Sequence, residues 1–223
     1  MNVCYIHPFY TLLTSIASIL FFTVCSSAQP PESTADKHPE MILFDGTNLD
    51  NWSKTDYAGK GEIFIDENQT LVMEMGATLS GIHWTGDDLP VENYEISLQA
   101  RRTLGSDFFC GLTFPYKDAH ATLILGGWGG SLIGISSIDD FDASENETGD
   151  AYIFEEKEWY DIRLLVMETK LKVFINGETV IDADVDGKKV AMRVGEIEMS
   201  VPLGITTYGT TGEFKNIVLR KNL

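Results

Sequence analysis

Hydrophobic and polar residues alternate along most of this chain in short runs with a period of two. From residue 41 onward the runs are rich in Val, Ile, Phe, Tyr and Thr and are separated by Gly, Asn or Asp. Such alternation places apolar side chains on one face of a β-strand, and these residue types favour strands. The pattern predicts about a dozen strands, at residues 41–44, 63–66, 70–73, 94–101, 108–114, 120–125, 132–138, 159–167, 170–175, 178–184, 201–207 and 212–219.

Helical periodicity is almost absent from the same region. The clearest local signal is Asn176-Gly177 between two alternating runs, which predicts a hairpin with a type I′ turn. Many short strands separated by turn residues are typical of an antiparallel β-sandwich. The sequence therefore predicts a single all-β domain with this architecture.

A second hairpin is predicted where a glycine-rich turn joins the runs 120–125 and 132–138. The turn reads Gly126-Gly127-Trp128-Gly129-Gly130. Glycine on both sides of Trp128 permits positive φ and removes neighbouring side chains, so the indole would lie exposed as a flat surface on which sugars stack. The alternative is a bulged turn with Trp128 packed in the core.

The first residues resemble an export signal. An apolar run over residues 12–24 is followed by Ser26 and Ala28, which suit cleavage after residue 28. We therefore predict a signal peptide at 1–28. The apolar run is short for the alternative, a membrane anchor. A second alternative is lipid attachment at Cys25, although Phe-Thr-Val is a poor sequence to precede it.

The predicted signal peptide is followed by a linker and then by the folded domain. Residues 29–40 are rich in Pro, Ser, Thr and charge, which indicates a disordered linker. The domain would then span 41–223, in the periplasm or outside a bacterial cell. After the leader only Cys110 remains, which excludes an intramolecular disulfide and a cysteine zinc site. Its apolar surroundings predict a small buried hydrophobe.

The formal net charge of the chain is −18. Residues 1–31 contain no Asp, Glu, Lys or Arg, so the whole charge belongs to the remainder. Binding to nucleic acid requires a basic face that displaces counterions from phosphate groups. The charge therefore argues against a nucleic-acid partner.

Both ends of the domain resemble one family. The motif LFDGTNLDNW at residues 43–52 is similar to the N-terminal signature of the secreted DUF1080 family, also called the 3-keto-disaccharide hydrolase domain, and GEFKNIVL at 212–219 is similar to its C-terminal counterpart. The resemblance covers residues 41–223. It implies a concanavalin A-like jelly roll with the first and last strands side by side, and a carbohydrate substrate on the concave sheet. At the centre, FCGLTFP at 109–115 lacks the Asn and Arg of many members.

The opening motif also has a purely physical account. Phe44 would enter the core while Asp45 accepts backbone N–H groups in an Asx turn. Trp52 would plug the core. A calcium site at Asp45, Asn48 and Asp50 is the alternative, because oxygen ligands cluster there.

The activity that the resemblance implies is cleavage of 3-keto-glycosides, which needs a base and an electrophile or metal to hold an enolate. His120 is a candidate base, because its pKa lies near working pH. Alternation places it on the face opposite Ala121 and Leu123. The alternative is a loop histidine, exposed or bonded to a carboxylate.

Carboxylates are the other candidates. Asp142 and Glu145 would act as acid and base, and Asp139, Asp140 and Asp142 would bind a divalent cation such as calcium. The alternative is a solvated acidic loop that keeps the protein soluble. The residues expected to bind substrate are Trp128, Trp84, Asp107, Thr113 and Asn146.

Two other functions use the same fold. A glycan-binding module would need exposed Trp or Tyr with hydrogen-bonding neighbours, and an interaction or scaffold domain of the cell envelope would need no polar cleft.

Overall fold

The computed structural model describes residues 39–221. The predicted signal peptide, Cys25 and most of the predicted linker lie outside this range. Within it, no helix is long and apolar enough to cross a membrane. The described residues form two antiparallel sheets, so the predicted all-β jelly-roll sandwich is confirmed.

The first sheet has eight strands, in the order β13-β12-β11-β6-β15-β4-β3, with β1 also paired to β15. Its strands are β1 (Glu40–Phe44), β3 (Ile63–Ile65), β4 (Leu71–Met73), β6 (Tyr94–Gly105), β11 (Tyr160–Val166), β12 (Lys170–Ile175), β13 (Glu178–Asp184) and β15 (Thr210–Lys221). The pairing of β1 with β15 confirms that the first and last strands lie side by side.

The second sheet has seven strands, in the order β10-β9-β8-β7-β14-β5-β2. Its strands are β2 (Trp52–Lys54), β5 (Leu79–Trp84), β7 (Cys110–Tyr116), β8 (Ala119–Gly126), β9 (Leu132–Ser136), β10 (Asp150–Ala151) and β14 (Gly204–Tyr208). A single helical turn, Gly127–Gly130, joins β8 to β9, and a 3-10 helix, Glu196–Ser200, precedes β14.

The core lies between the two sheets, and alternation decides which side chains enter it. In β8, Leu123 and Leu125 are fully buried within the main hydrophobic cluster. Thr122 and Ile124 point from the opposite face of the same strand. Cys110 is fully buried, as predicted, and burial raises the pKa of its thiol to about 12.

The predicted strands are all present, with shifts at their ends. Three strands escaped prediction: β2, β5 and β10. Two of them have only two or three residues, too few to show alternation, and β5 (LSGIHW) carries Gly81 within it. The Asn-Gly hairpin is confirmed, since Asn176 and Gly177 have φ of 51° and 83°, the signs that a type I′ turn requires.

The opening motif is structural in the way the sequence indicates. Phe44 is buried, and the Asp45 carboxylate accepts the backbone N–H of Thr47 at 2.9 Å in an Asx turn. Trp52 is buried and donates from Nε1 to the Leu43 carbonyl at 2.8 Å. These contacts fix the chain where it enters the sandwich.

Candidate functional site

A cleft of about 620 Å³ opens on the outer face of the seven-stranded sheet. Turns and loops around β8, β9 and β14 form its walls. Its lining residues are Thr78, Leu79, Asp107, Phe108, Thr122, Ile124, Trp128, Ser136, Asp142, Ser144, Glu145, Arg193, Val194, Gly195, Glu196, Ile197 and Tyr208.

Two walls of the cleft rest on glycines of the sheet. A Cβ on Gly134 would lie 2.7 Å from the Ala143 carbonyl oxygen, and a Cβ on Gly111 would lie 3.0 Å from the Phe108 ring. Both distances are shorter than ordinary contacts, so only glycine lets the loop and the ring approach this closely. The acidic loop at Ala143 therefore packs directly against β9, and the Phe108 ring packs directly against β7.

Trp128 stands on the turn between β8 and β9. Gly126 and Gly129 have φ of 81° and 90°, and Trp128 itself has φ of 47°. Its side chain is 47% exposed and lines the cleft, so the exposed alternative of the two sequence interpretations is correct. Arg102 braces the turn by donating to the carbonyls of Gly130 at 3.2 Å and Phe154 at 2.9 Å.

The acidic loop, residues 139–147, is fastened to a crossing segment, residues 188–200, that runs over the outer face of the sheet. Backbone bonds between Ser137 and Ala191 begin the contact, and a hydroxyl bond of 2.6 Å between Ser200 and Thr113 anchors its far end over β7. Three ion pairs join the two segments: Glu147 with Lys188, Asp140 with Lys189, and Asp142 with Arg193. The acidic loop therefore positions one wall of the cleft.

Asp142 connects the loop, the sheet and the crossing segment. Its carboxylate accepts the Ser136 hydroxyl at 2.5 Å, the Ala143 N–H at 2.8 Å and Arg193 Nη1 at 2.8 Å. The Arg193 guanidinium carbon in turn lies 5.9 Å from the centre of the Trp128 ring. A cation, an aromatic ring and a carboxylate thus meet at one end of the cleft. Glu145 also lines the cleft, and its backbone N–H donates to the Asp142 carbonyl at 2.8 Å.

The three carboxylates expected to bind a metal are not assembled as ligands. Asp139 accepts the Lys189 N–H at 2.9 Å, Asp140 pairs with Lys189 Nζ at 2.6 Å, and Asp142 has the partners given above. Within residues 39–221 no group of three or more His, Cys, Asp or Glu could hold a metal ion. The arrangement does not fit the predicted calcium site.

His120 lies on the outer face of β8, as alternation predicts, but outside the lining of the cleft. Two residues further along the same face, the Thr122 hydroxyl forms a hydrogen bond of 2.9 Å with that of Thr113, below the crossing segment. Thr122 and Ile124 both line the cleft, whereas His120 does not. Partial burial lowers the pKa of His120. The structure therefore does not bring His120 together with the candidate carboxylates in the cleft.

Three residues expected to bind substrate have structural surroundings instead. Trp84 is 4% exposed and packs edge-to-face on Trp52 at 5.3 Å, which corrects its expected place in the cleft. Thr113 is fully buried beneath Ser200. The Asn146 side chain is used by the acidic loop, since it donates to the carbonyl of Asp142 and accepts from Thr148. Asp107 does line the cleft, as expected.

Sequence reasoning missed Arg193, Tyr208 and Phe108 as cleft residues. Arg193 lies in the long stretch between the predicted strands 178–184 and 201–207, and long loops without their own strands are often functional. That signal was available. Tyr208 is the last residue of β14 and Phe108 lies just before β7, and nothing in the local sequence distinguishes either from a core aromatic.

We expect acid to weaken the attachment of the acidic loop. The Lys188 ammonium lowers the pKa of Glu147, so this pair stabilises the fold above the ordinary pKa of Glu and the contribution is lost as pH falls through the lowered value. Both side chains are partly exposed, so solvent screening limits the effect to under about 1 kcal/mol. Urea unfolding of Glu147→Gln and the parent at pH 7 and pH 3 measures it.

The difference between these two proteins should be smaller at pH 3 than at pH 7. Glu145→Gln, in the same loop but outside the three ion pairs, is the control and should show no such pH dependence. A deficit of Glu147→Gln that is undiminished at pH 3 would refute the electrostatic origin.

Two packed antiparallel sheets, with a cleft lined by exposed aromatic rings and carboxylates on one outer face, define a jelly-roll β-sandwich domain. The chain belongs to the family of 3-keto-alpha-glucoside-1,2-lyase-like domains, whose model matches residues 41–220. This confirms the family that the two terminal motifs indicate.

Solved structures share the fold at low identity. The carbohydrate-binding module CBM66 from Bacillus subtilis is 15% identical with a TM-score of 0.54, over 82% of this chain and 100% of that one. The Crh5 transglycosylase in complex with NAG is 10% identical with a TM-score of 0.55, over 84% of this chain and 85% of that one. No curated protein has a matching sequence.

Proposed function

We propose that this domain cleaves the glycosidic bond of 3-keto-glycosides in the cleft, after export from a bacterial cell. The observation that carries the proposal is the group formed by Arg193, Trp128 and the carboxylates at one end of the cleft. It offers a stacking surface for a sugar, a base and a cation in one place. Membership of the family supports the same reaction.

The reaction follows from the ketone at C3, which acidifies the proton on C2. A carboxylate takes that proton, and the electron pair of the C–H bond forms the enolate with its charge on the C3 oxygen. The enolate then expels the glycosidic oxygen from C1, which leaves a C1–C2 double bond and, once protonated, the free alcohol. Water adds across the double bond to complete hydrolysis.

The residues of the cleft suit these steps. Glu145 is exposed beside Asp142 and is the candidate base, because Asp142 already accepts three hydrogen bonds. Arg193 has one N–H group bound to Asp142 and others available for the C3 oxygen. Asp142 then acts as a positioning residue. Such fixed donors stabilise developing charge in the transition state.

Non-catalytic glycan binding is the second candidate. It is favoured by the position of His120 outside the cleft lining, which removes the histidine base, and by the exposed side chains of Trp128 and Tyr208 in that lining. Stacking rings beside polar groups would suffice for a binding module.

The deciding experiment is product analysis by mass spectrometry on the purified protein with methyl α-glucoside and its 3-keto form, with calcium or with EDTA. We expect cleavage of the keto form alone. Cleavage that EDTA abolishes would show that the reaction needs a bound metal ion. If the protein binds the glucoside but cleaves neither compound, the domain is a glycan-binding module and the enzyme proposal is wrong.

We expect Trp128→Ala to weaken binding of the sugar about 5-fold, because a stacked ring contributes on the order of 1 kcal/mol. Titration calorimetry with the unreactive glucoside measures the change. Trp159→Ala is the matched control, since that indole lies by Arg101 and Lys215 in the other sheet. Equal affinities of the two variants would remove Trp128 from the site.

A further inference from the structure

The two ends of the cleft differ in their chemistry. Across the sheet the strands follow in the order β9, β8, β7, β14, β5. Ser136, Asp142 and Arg193 lie at the β9 end, with Trp128 on the turn beside it. Leu79 and Tyr208 lie at the other end, directly opposite each other on β5 and β14.

The β5–β14 end is an aromatic and apolar wall. The Phe108 and Tyr208 rings stack with centres 5.9 Å apart and planes 28° apart, and the backbone bond from Tyr208 N to the Phe108 carbonyl, at 3.0 Å, holds them together. Phe108 is 9% exposed, whereas Tyr208 is 43% exposed. Leu79, Ile124 and Ile197 extend the same apolar surface, since all three contact one hydrophobic cluster with Phe108.

The hydroxyl group of Thr78, next to Leu79, already has a partner, because it donates to the Ala58 carbonyl at 3.1 Å. The Asp107 carboxylate accepts the Phe108 N–H at 2.7 Å and lies on the side of the Trp128 turn, since a Cβ on Gly127 would come within 3.9 Å of it. A hydroxyl group that lost its water against the side chains of Phe108, Leu79 and Ile124 would find no hydrogen-bond partner on them, which costs free energy. An apolar group would lose nothing and would gain burial.

Four strand spacings separate β9 from β5, roughly 19 Å. A single sugar ring is much shorter than this. With the sugar held beside Arg193 and Trp128, the group attached through C1 would extend across Ile124 towards Tyr208.

We propose that the apolar end binds the aglycone, and that the preferred substrates are glycosides of aromatic or similarly apolar alcohols rather than disaccharides. The placement of the sugar rests on the proposed function. The chemistry of the aglycone rests on Phe108, Tyr208 and Leu79.

The test compares kcat/KM for three 3-keto-α-glucosides whose aglycones are methanol, benzyl alcohol and glucose, because benzyl alcohol carries an aromatic ring and is about as poor a leaving group as methanol. We expect the benzyl compound to exceed the other two by about 10- to 100-fold, the range in which apolar pockets discriminate. Tyr208→Ser should abolish this preference, and Tyr208→Phe, which keeps the ring, should retain it. Trp128→Ala should lower all three values alike, because it acts on the sugar.

A glucosyl compound cleaved as well as the benzyl compound, or a benzyl preference that survives in Tyr208→Ser, would overturn the inference. If the parent protein cleaves none of the three, the proposed function fails. Binding then decides the inference separately: benzyl α-glucoside must bind more tightly than methyl α-glucoside and lose that advantage in Tyr208→Ser. Equal affinities would refute it.

Discussion

Replacing Arg193 by Gln is expected to lower kcat for cleavage of a 3-keto-glucoside by about 10²- to 10³-fold, the usual effect of removing one donor to a developing oxyanion. Within residues 39–221, Arg193 is the one Lys or Arg that lines the cleft, beside Asp142, Glu145 and Glu196. Its charge would act mainly on the enolate, so KM should change much less than kcat. Steady-state kinetics of the two proteins measures both.

Lys189→Gln is the matched control for this experiment. Lys189 belongs to the same crossing segment and pairs with Asp140 of the same acidic loop, but it does not line the cleft. Its loss should leave kcat unchanged. Arg193→Lys should retain part of the activity, because the charge remains while the planar donors are lost. An Arg193→Gln variant with unchanged kcat would exclude the guanidinium from the chemistry.

Replacing Phe109 by Ala is expected to lower the free energy of unfolding by about 3 to 5 kcal/mol, the usual result of emptying a buried phenylalanine site. The ring is fully buried and packs edge-to-face against Phe154, with centres 4.9 Å apart. Tyr160 lies beyond at 6.4 Å. Urea unfolding followed by tryptophan fluorescence measures the loss.

Phe64→Ala provides the comparison, because this phenylalanine lies on β3 and is 40% exposed. Its loss should cost well under half as much, since an exposed site leaves no cavity. Equal losses of unfolding free energy in the two variants would contradict this description of the core.

Phe154 also connects the core to the cleft. Its carbonyl accepts a hydrogen bond from Arg102, which also holds the Trp128 turn.

Most of the fold was predictable because the signals of strands are local. Alternation placed the long strands, and Asn176-Gly177 specified its own turn through positive φ. The two-residue strand β10 could not be found this way, because its pairing with β9 depends on neighbours distant in sequence. The terminal motifs added the adjacency of β1 and β15, which periodicity alone does not contain.

The site was predictable only in part. The glycines around Trp128 predicted an exposed ring, and the alternation of apolar and polar residues predicted the correct face of β8 for His120. Alternation does not say how far along that face a residue lies relative to a loop that covers it. His120 and Ile124 share one face, yet only Ile124 lines the cleft.

The acidic loop shows the same limit for charge. Its composition indicated either solubility or a metal site, whereas its carboxylates pair with cations 41 to 51 residues later in the chain. Sequence spacing carries no information on such pairs, because the fold brings the two segments together over the sheet. The same pairs bring Arg193 to the cleft.

The pairing of β1 with β15 has a practical consequence for attachment to a solid support. Glu40 lies opposite Arg220 in the eight-stranded sheet, and their side chains are bonded at 2.7 Å. The cleft opens on the outer face of the other sheet, across the full thickness of the sandwich. A resin, a fluorescent label or a fused enzyme joined next to either residue would therefore leave the cleft free, and large glycosides in solution would still reach it.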